Sequence, residues 1–390
     1  MINCLPRRFG VGYLWLAVCS TAMGQTIHFE KHQVDKEFRS EGVAVADFNH
    51  DGKLDIAAGT VWYEAPDWKM HSIDGQPMTY DPKGYSHSFV NAADDLNGDG
   101  WADVLVVDFP GTPTWWFENP KGQDRPWIKH ELTPVTNNES PQYVDFDGNG
   151  QREWLMGVAP TSDQSDGPDR KMALVTRPAD PTGPWTIKAL SAPDAIGARR
   201  YDHGLGFGDL NGDQRPDVAV ADGWYEQPEE GGQAKFHAYA FGGPCAHMQI
   251  YDIDGDGDND VLNSSAHAFG IWWHEQTSPG EFKTHQVDSS FSQTHSLCLA
   301  DINGDGLQDF VTGKRWWAHA AGDPGVDQPA VMYWFEAKRD QGKVSWVPHQ
   351  FDHDSGVGTQ FQLADLDGDG LLDVITSNKK GTHWFRQYRD

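Results

Sequence analysis

The sequence predicts an all-β fold, a seven-bladed β-propeller of four-stranded blades, and three observations carry that expectation. An acidic, glycine-punctuated pattern of nine residues recurs seven times through nearly the whole chain. Each copy stands within the same order of short β-rich runs, with no helical periodicity of any length. The two ends of the chain hold complementary parts of one unit.

The repeated pattern is clearest at residues 301–309, where Asp301, Asn303, Asp305 and Asp309 surround the glycine at position six, Gly306. Oxygen donors at alternate positions of a tightly turning loop suit calcium, a hard cation that takes six to eight oxygen ligands. Equivalent sets are Asp47, Asn49, Asp51 and Asp55; Asp95, Asn97, Asp99 and Asp103; Asp252, Asp254, Asp256 and Asp260; and Asp365, Asp367, Asp369 and Asp373. Two further copies, starting at Asp145 and Asp209, are degraded. The first has Asn149 and Glu153 in place of aspartates, and the second has Gln214 where the glycine belongs. That glycine position calls for a positive φ, which glutamine adopts poorly, so these two are expected to be the poorer calcium sites. Successive copies lie 48, 50, 64, 43, 49 and 64 residues apart. Such spacing marks a repeat architecture.

Within each unit an apolar run precedes the loop (Val43 to Ala46, Leu297 to Ala300, Phe361 to Ala364) and another follows it (Asp103 to Val107, Asp373 to Thr376). An aromatic third strand comes next, as at Trp62-Tyr63-Glu64 and Trp224-Tyr225-Glu226; the third unit departs with Ala173-Leu174-Val175. The fourth strand pairs an aromatic residue with a histidine three places on, as in Trp68 and His71 or Trp346 and His349. These histidines recur with the repeat and are expected to be strand packing. Four strands in each of seven units give the propeller. Residues 27–34 read as a spare fourth strand, while the chain ends after a third strand. Their pairing would close the ring and remove exposed edges.

Residues 1–24 carry Arg7 and Arg8, an apolar run from Phe9 to Val18, and Ala22-Met23-Gly24. This is the pattern of a secretory signal peptide. A lipoprotein signal ending at Cys19 is the rival reading, opposed by the bulky Val18. Residues 25–390 are expected to form a single domain, exported to the periplasm, the cell surface or the medium. No later run is long and apolar enough to cross a bilayer. Cys245 and Cys298 sit at different offsets in neighbouring repeats, so stability is expected from packing and metal rather than from a cystine framework. The net charge of −28 lies largely in the loops and argues against nucleic acid as a partner.

The D-x-[DN]-G-D-G-x-x-D loop between two apolar strands resembles the FG-GAP/VCBS repeats of integrin alpha propellers and of many secreted bacterial proteins, over about residues 27–390. The resemblance implies the propeller and the calcium loops. It leaves activity open, because such propellers serve adhesion, lectin, lyase and dehydratase functions alike.

The activity must be sought in a site. In a four-stranded unit the acidic loops share one face, and the loops joining strands two and three share the opposite face with the connections between units. On this second face the sequence places His87, His203, His247 and His295, the last three at six, five and six residues before the first aspartate of their loops. Tyr85, Tyr201, Asp108, His267, Lys314, Arg315, Lys379 and Lys380 join them, and the insertions at 159–170, 191–200 and 319–329 fall there too. Long loops on one rim of a rigid scaffold commonly build a binding site. Catalytic roles are expected for His203, His247, His295, His87, Tyr201 and Arg315, with ligand binding by Lys314, Lys379, Lys380, His267, Asp108 and Tyr85. Clustered imidazoles would hold zinc or another transition metal with an open position. One reading is a carbohydrate lyase or dehydratase. The alternative is a non-enzymatic cell-surface module for adhesion or for binding glycan or protein. Convergence of the histidines favours the first.

Overall fold

In the computed structural model, residues 26–229 and 232–390 are described; the signal peptide expected at 1–24 lies outside them. Strands dominate, and they gather into four-stranded antiparallel sheets in chain order. The first sheet comprises Ala44–Ala46, Asp55–Ala58, Val61–Glu64 and Lys69–Ser72. Four more groups repeat that order, starting at Val90–Asp94, Leu205–Gly208, Gln249–Tyr251 and Leu297–Ala300. The group starting at Gln142–Val144 is continuous with the one before it through a single pair, Val158 opposite Thr136. In the last sheet, Phe361–Ala364, Asp373–Asn378 and Gly381–Arg389 are completed by the N-terminal strand Ile27–Asp35. That strand runs antiparallel to Gly381–Arg389, with His32 opposite Trp384 and Lys31 opposite Phe385. The expected pairing of the two ends is present.

Apolar clusters form between successive sheets. Leu105 and Trp116 pack with Trp154 and Met156 of the following unit. Val43, Ile56 and Tyr63 of the first sheet pack with Leu366 and Ile375 of the last. The first strands of neighbouring sheets lie alongside one another around a common cavity of about 630 Å³, lined in part by Val45, Ala92, Tyr143, Gln249, Leu299 and Leu363. Cys245 and Cys298 are both free thiols.

The last residue of each acidic loop anchors its sheet. Asp309 is fully buried and accepts the N–H of Ile302 within the loop at 3.0 Å and that of Ala337 in the third strand at 2.8 Å. Asp55, Asp103, Asp217, Asp260 and Asp373 do the same with their own two amides. A short acidic side chain thus satisfies two backbone donors that packing would otherwise strand. Burial, foremost, pushes these carboxyls up, to about 6 at Asp309 and about 7 at Asp103 and Asp260.

The fourth-strand histidines are packing residues. Each stacks on the aromatic ring of the third strand, with His71 on Trp62 at 4.3 Å between centroids, and His237 on Trp224 and His349 on Trp334 at 4.2 Å. The Nε2 of each faces the glutamate two residues beyond that ring, as in His71 with Glu64 at 2.7 Å and His349 with Glu336 at 3.1 Å. Trp-x-Glu on one strand and His on the next make a recurrent clamp.

Candidate metal centre and its rim

Antiparallel strands send the acidic loops out at one end of each sheet and the loops between second and third strands out at the other, together with the connections between sheets. At this second end four potential ligands converge. Glu139, His203, His295 and His319 each offer one donor atom, and all four atoms lie within 4.8 Å of one another. His203 Nε2 is 3.3 Å from Glu139 Oε2. The rings of His203 and His295 are 5.4 Å apart, and those of His295 and His319 are 5.1 Å apart. Glu139 Oε2, His203 Nε2 and His295 Nε2 are all buried with no hydrogen-bond partner. Leaving three such atoms unpaired in one place costs free energy, roughly 1–3 kcal/mol each, unless something binds there.

The local electrostatics suit a cation. Burial would raise the Glu139 carboxyl, but His203, Arg315 and His319 overcome it and hold the group down to about 2. Burial, then Arg315, hold His295 well below the ordinary imidazole range, and the same two causes bring His319 to about 4. A carboxylate with imidazoles, two of them held neutral, is the donor set of a zinc or other transition-metal site. Asp323 accepts from His319 Nδ1 at 3.0 Å and lies 3.3 Å from His267 Nδ1. Such a carboxylate fixes the tautomer and leaves Nε2 of His319 for the metal.

The backbone is strained at this place. Tyr201, Gln293 and Trp317 have φ of 68°, 61° and 53°, and each precedes a cluster histidine by two residues: His203, His295 and His319. Left-handed conformations of non-glycine residues cost free energy and gather at functional sites.

Several expectations need correction. His247 is buried but lines the central cavity, below the cluster, where burial brings it to about 4. Its offset of five puts it on the other face of the chain from residues at offset six, because successive side chains of extended backbone point oppositely. His87 is exposed and pairs with Asp108 at 2.7 Å, away from the cluster. The four cations do not form one patch. Lys314 is buried with its ammonium on the Gly325 carbonyl, tethering the 319–329 insertion, and Lys380 pairs with Asp354. Arg315 is fully buried, paired with Glu41 and 3.8 Å from Glu139, so it positions the cluster rather than meeting a substrate. His203, His295 and His267 are where the sequence puts them.

Glu139, His319, Asp323 and Glu41 belong to the centre in addition to the residues expected from the sequence. Two had a signal: Glu41 and Glu139 stand six residues before Asp47 and Asp145, the offset shared by His203 and His295. His319 and Asp323 come from an insertion with no counterpart elsewhere in the repeat.

A rim surrounds this centre. Tyr85 and Tyr201, 38 % and 44 % exposed, flank Phe109 at 5.6 and 5.7 Å. The Lys379 ammonium sits 4.5 Å from the Tyr85 ring and the Arg200 guanidinium 4.9 Å from that of Tyr201.

On the opposite end, Asp252, Asp254 and Asp256 bring ligand oxygens within 4.8 Å of one another, as do Asp365, Asp367 and Asp369, and also Asp145, Asp147 and Glu153 of a degraded copy. Asp145 Oδ1 and Asp258 Oδ1 are buried without partners. An all-oxygen set with unpaired acceptors fits calcium. Gln214 does take the strained conformation, with φ of 68°.

The FG-GAP-like repeat family model matches residues 95–156 and 252–312, each running from one acidic loop through the next and into the strand that follows it. The chain carries FG-GAP-like repeats. Solved structures resemble the chain as well. BBS1N, solved in complex with ARL6DN, is 10% identical over 93% of this chain and 96% of that one, with a TM-score of 0.53. That likeness is one of fold. Rhamnogalacturonan lyase YesW is 13% identical over 92% of this chain and 75% of its own, at a TM-score of 0.44. A lectin of Agrocybe aegerita that recognises non-reducing terminal N-acetylglucosamine is 17% identical over 80% of this chain and 79% of its own, also at 0.44. No curated protein matches the sequence. Among the described residues, no helix is long and apolar enough to cross a membrane.

Proposed function

We propose that the chain is an exported, calcium-stabilised, seven-bladed propeller, closed by its N-terminal strand, that carries a catalytic transition-metal centre and acts on carbohydrate as a lyase or dehydratase. The pairing of Ile27–Asp35 with Gly381–Arg389 and the apolar cluster linking first and last sheets support the closed ring. One observation carries the catalytic reading: Glu139 Oε2, His203 Nε2 and His295 Nε2 converge, buried and unpaired, within reach of His319. An adhesive surface has no need of such a set.

Glu139, His203, His295 and His319 would hold the metal, with Asp323 orienting His319 and Arg315 fixing Glu139. When bound, the ion supplies a Lewis acid for a substrate carbonyl or carboxyl oxygen. Elimination then requires a base to take the proton α to that group, while its electron pair forms a C=C bond and expels the β oxygen as water or alcohol. Of the two phenols at the rim, Tyr201 would take that proton as the phenolate and Tyr85 would donate one to the leaving oxygen. Burial, opposed by Arg315, raises Tyr85, keeping it in the protonated form that can donate to the leaving oxygen. The reaction is redox-neutral and needs no further reactant.

Elemental analysis of protein held in excess calcium tests the reading. One equivalent of zinc, manganese or iron, lost in His295→Ala with folding retained, is expected. Calcium alone, in protein that has been offered these metals, would leave the binding-module reading.

A further inference from the structure

The rim beside the metal centre has a composition unlike the rest of this acidic surface. Tyr85, Phe109 and Tyr201 form a row three rings long, with its outer two rings open to solvent. A cation sits at each end. Lys379 is only 4 % exposed, yet its ammonium makes no ion pair among the described residues; it donates to the Trp317 carbonyl at 2.9 Å and faces Tyr85, with Glu41, Glu139 and Asp81 acting on it only at longer range. Arg200 donates Nε–H to the Pro110 carbonyl at 2.8 Å, lies over Tyr201, and likewise has no carboxylate partner among the described residues. Two aspartates near the row are engaged elsewhere. Asp108 faces His87, and Asp202 accepts the backbone N–H of Arg199 at 2.8 Å.

In a chain with 58 acidic and 30 basic residues, carboxylates are not scarce. A buried ammonium left without one is costly unless an anion arrives from outside. Aromatic faces offer apolar area for the C–H face of a pyranose ring. A guanidinium and an ammonium at either end offer charge-assisted hydrogen bonds to carboxylates. The row exceeds one sugar ring in length, so a single monosaccharide would not engage both cations.

We infer that this ledge is a subsite for an oligouronide, a chain of carboxylated sugars lying across Tyr85, Phe109 and Tyr201 with carboxylates on Lys379 and Arg200. The sugar class rests on the carbohydrate reading above; the demand for an anion does not. It also deepens that reading, because a uronic acid has the acidified α proton that elimination requires.

Titration calorimetry of the full mature chain in calcium, at pH 7, tests the inference with oligogalacturonate, oligomannuronate and hyaluronan oligosaccharides against neutral galacto-oligosaccharides. At least one uronide is expected to bind and the neutral chains to bind at least tenfold more weakly. Lys379→Met and Arg200→Met should each weaken binding by about 10- to 100-fold, the usual loss for a hydrogen bond to a charged group, and Tyr201→Ala tenfold. Lys379→Arg should restore most of the affinity, which a merely structural lysine would not require. Equal binding of neutral chains, unchanged affinity in both methionine variants, or no binding of any uronide overturns the ledge. Metal content is read separately on the same samples: uronide binding dependent on Lys379 without a histidine-bound metal keeps the ledge and removes the catalytic reading, whereas metal without uronide binding does the reverse.

Discussion

His203 Nε2 stands 3.3 Å from Glu139 Oε2, each from the connection before its own sheet, and neither atom has an aligned hydrogen-bond partner. An imidazole and a carboxylate left in that relation await a third party. If that is a metal, the supporting carboxylate should matter as well. Asp323→Asn is expected to weaken zinc affinity by about 10- to 100-fold, the usual cost of removing a ligand's orienting partner. Competition with a chromogenic chelator measures it. An unchanged affinity would mean that Asp323 serves only the insertion.

Calcium should carry much of the stability, and more of it as pH rises. The fifth loop gathers Asp252, Asp254, Asp256 and Asp258, and burial followed by the neighbouring carboxylates pushes Asp258 up to about 6, with Asp260 beside it at about 7. Folded-state values above the ordinary carboxylate range mean that protons support the metal-free fold below about pH 4. That support is lost as pH rises through 6 to 7, where calcium must replace it. The thermal midpoint is therefore expected to drop on chelation, by more at pH 7.5 than at pH 5. Scanning calorimetry with calcium or chelator at both pH values decides this.

The buried position-nine aspartates predict a stability cost independent of metal. Asp373→Ala strands the N–H groups of Leu366 and Gln387 and should cost about 2–5 kcal/mol. Denaturant titration in saturating calcium and again after chelation should give losses of similar size. A loss seen only with calcium would reassign Asp373 to ligation alone.

The charge of Lys379 gives oligouronide binding its own pH limit. Burial and then Arg315 bring this amine down to about 8, against the opposing pull of Glu41, Glu139 and Asp81. Affinity should fall as pH rises from 7 through 8 to 9, where an ordinary lysine would remain charged. In Lys379→Arg that fall should vanish, since guanidinium stays protonated. Calorimetry across this range reads it.

By contrast, the clamp histidines should be bystanders to chemistry. His349→Ala loses the stack on Trp334 and the contact with Glu336, a partly exposed pair, and is expected to cost about 1 kcal/mol with unchanged metal content. Denaturant titration and elemental analysis together check both halves.

The acidic turns, the β-rich runs and the spare strand at residues 27–34 were all legible in the chain, because repeated loops and period-two patterns act locally and through pairing with the next segment. The degraded copy at Asp145 shows the limit: its oxygen donors still gather within 4.8 Å despite Asn149 and Glu153, since the hairpin, not the identity of each side chain, sets the spacing. Half of the central site could be read. His203 and His295 are marked by their offset, and Glu41 and Glu139 share it, but among 58 acidic residues a carboxylate at that offset does not stand out as an imidazole does. His247, one residue out of step, lines the cavity instead, because a slip of one place in extended backbone turns a side chain to the opposite face.

What the sequence by itself determined was the repeating part: strands, acidic turns, and which end of each sheet bears them. Only the tertiary structure decided which residues share the centre. His319 and Asp323 reach it from an insertion that follows no repeat, Arg315 is withdrawn from substrate by two buried glutamates, and Lys379 makes no ion pair among the described residues. The physical reason is that a local pattern specifies how a segment folds on itself, whereas a site made from separate sheets depends on how far and in which direction each loop reaches once the sheets are packed together.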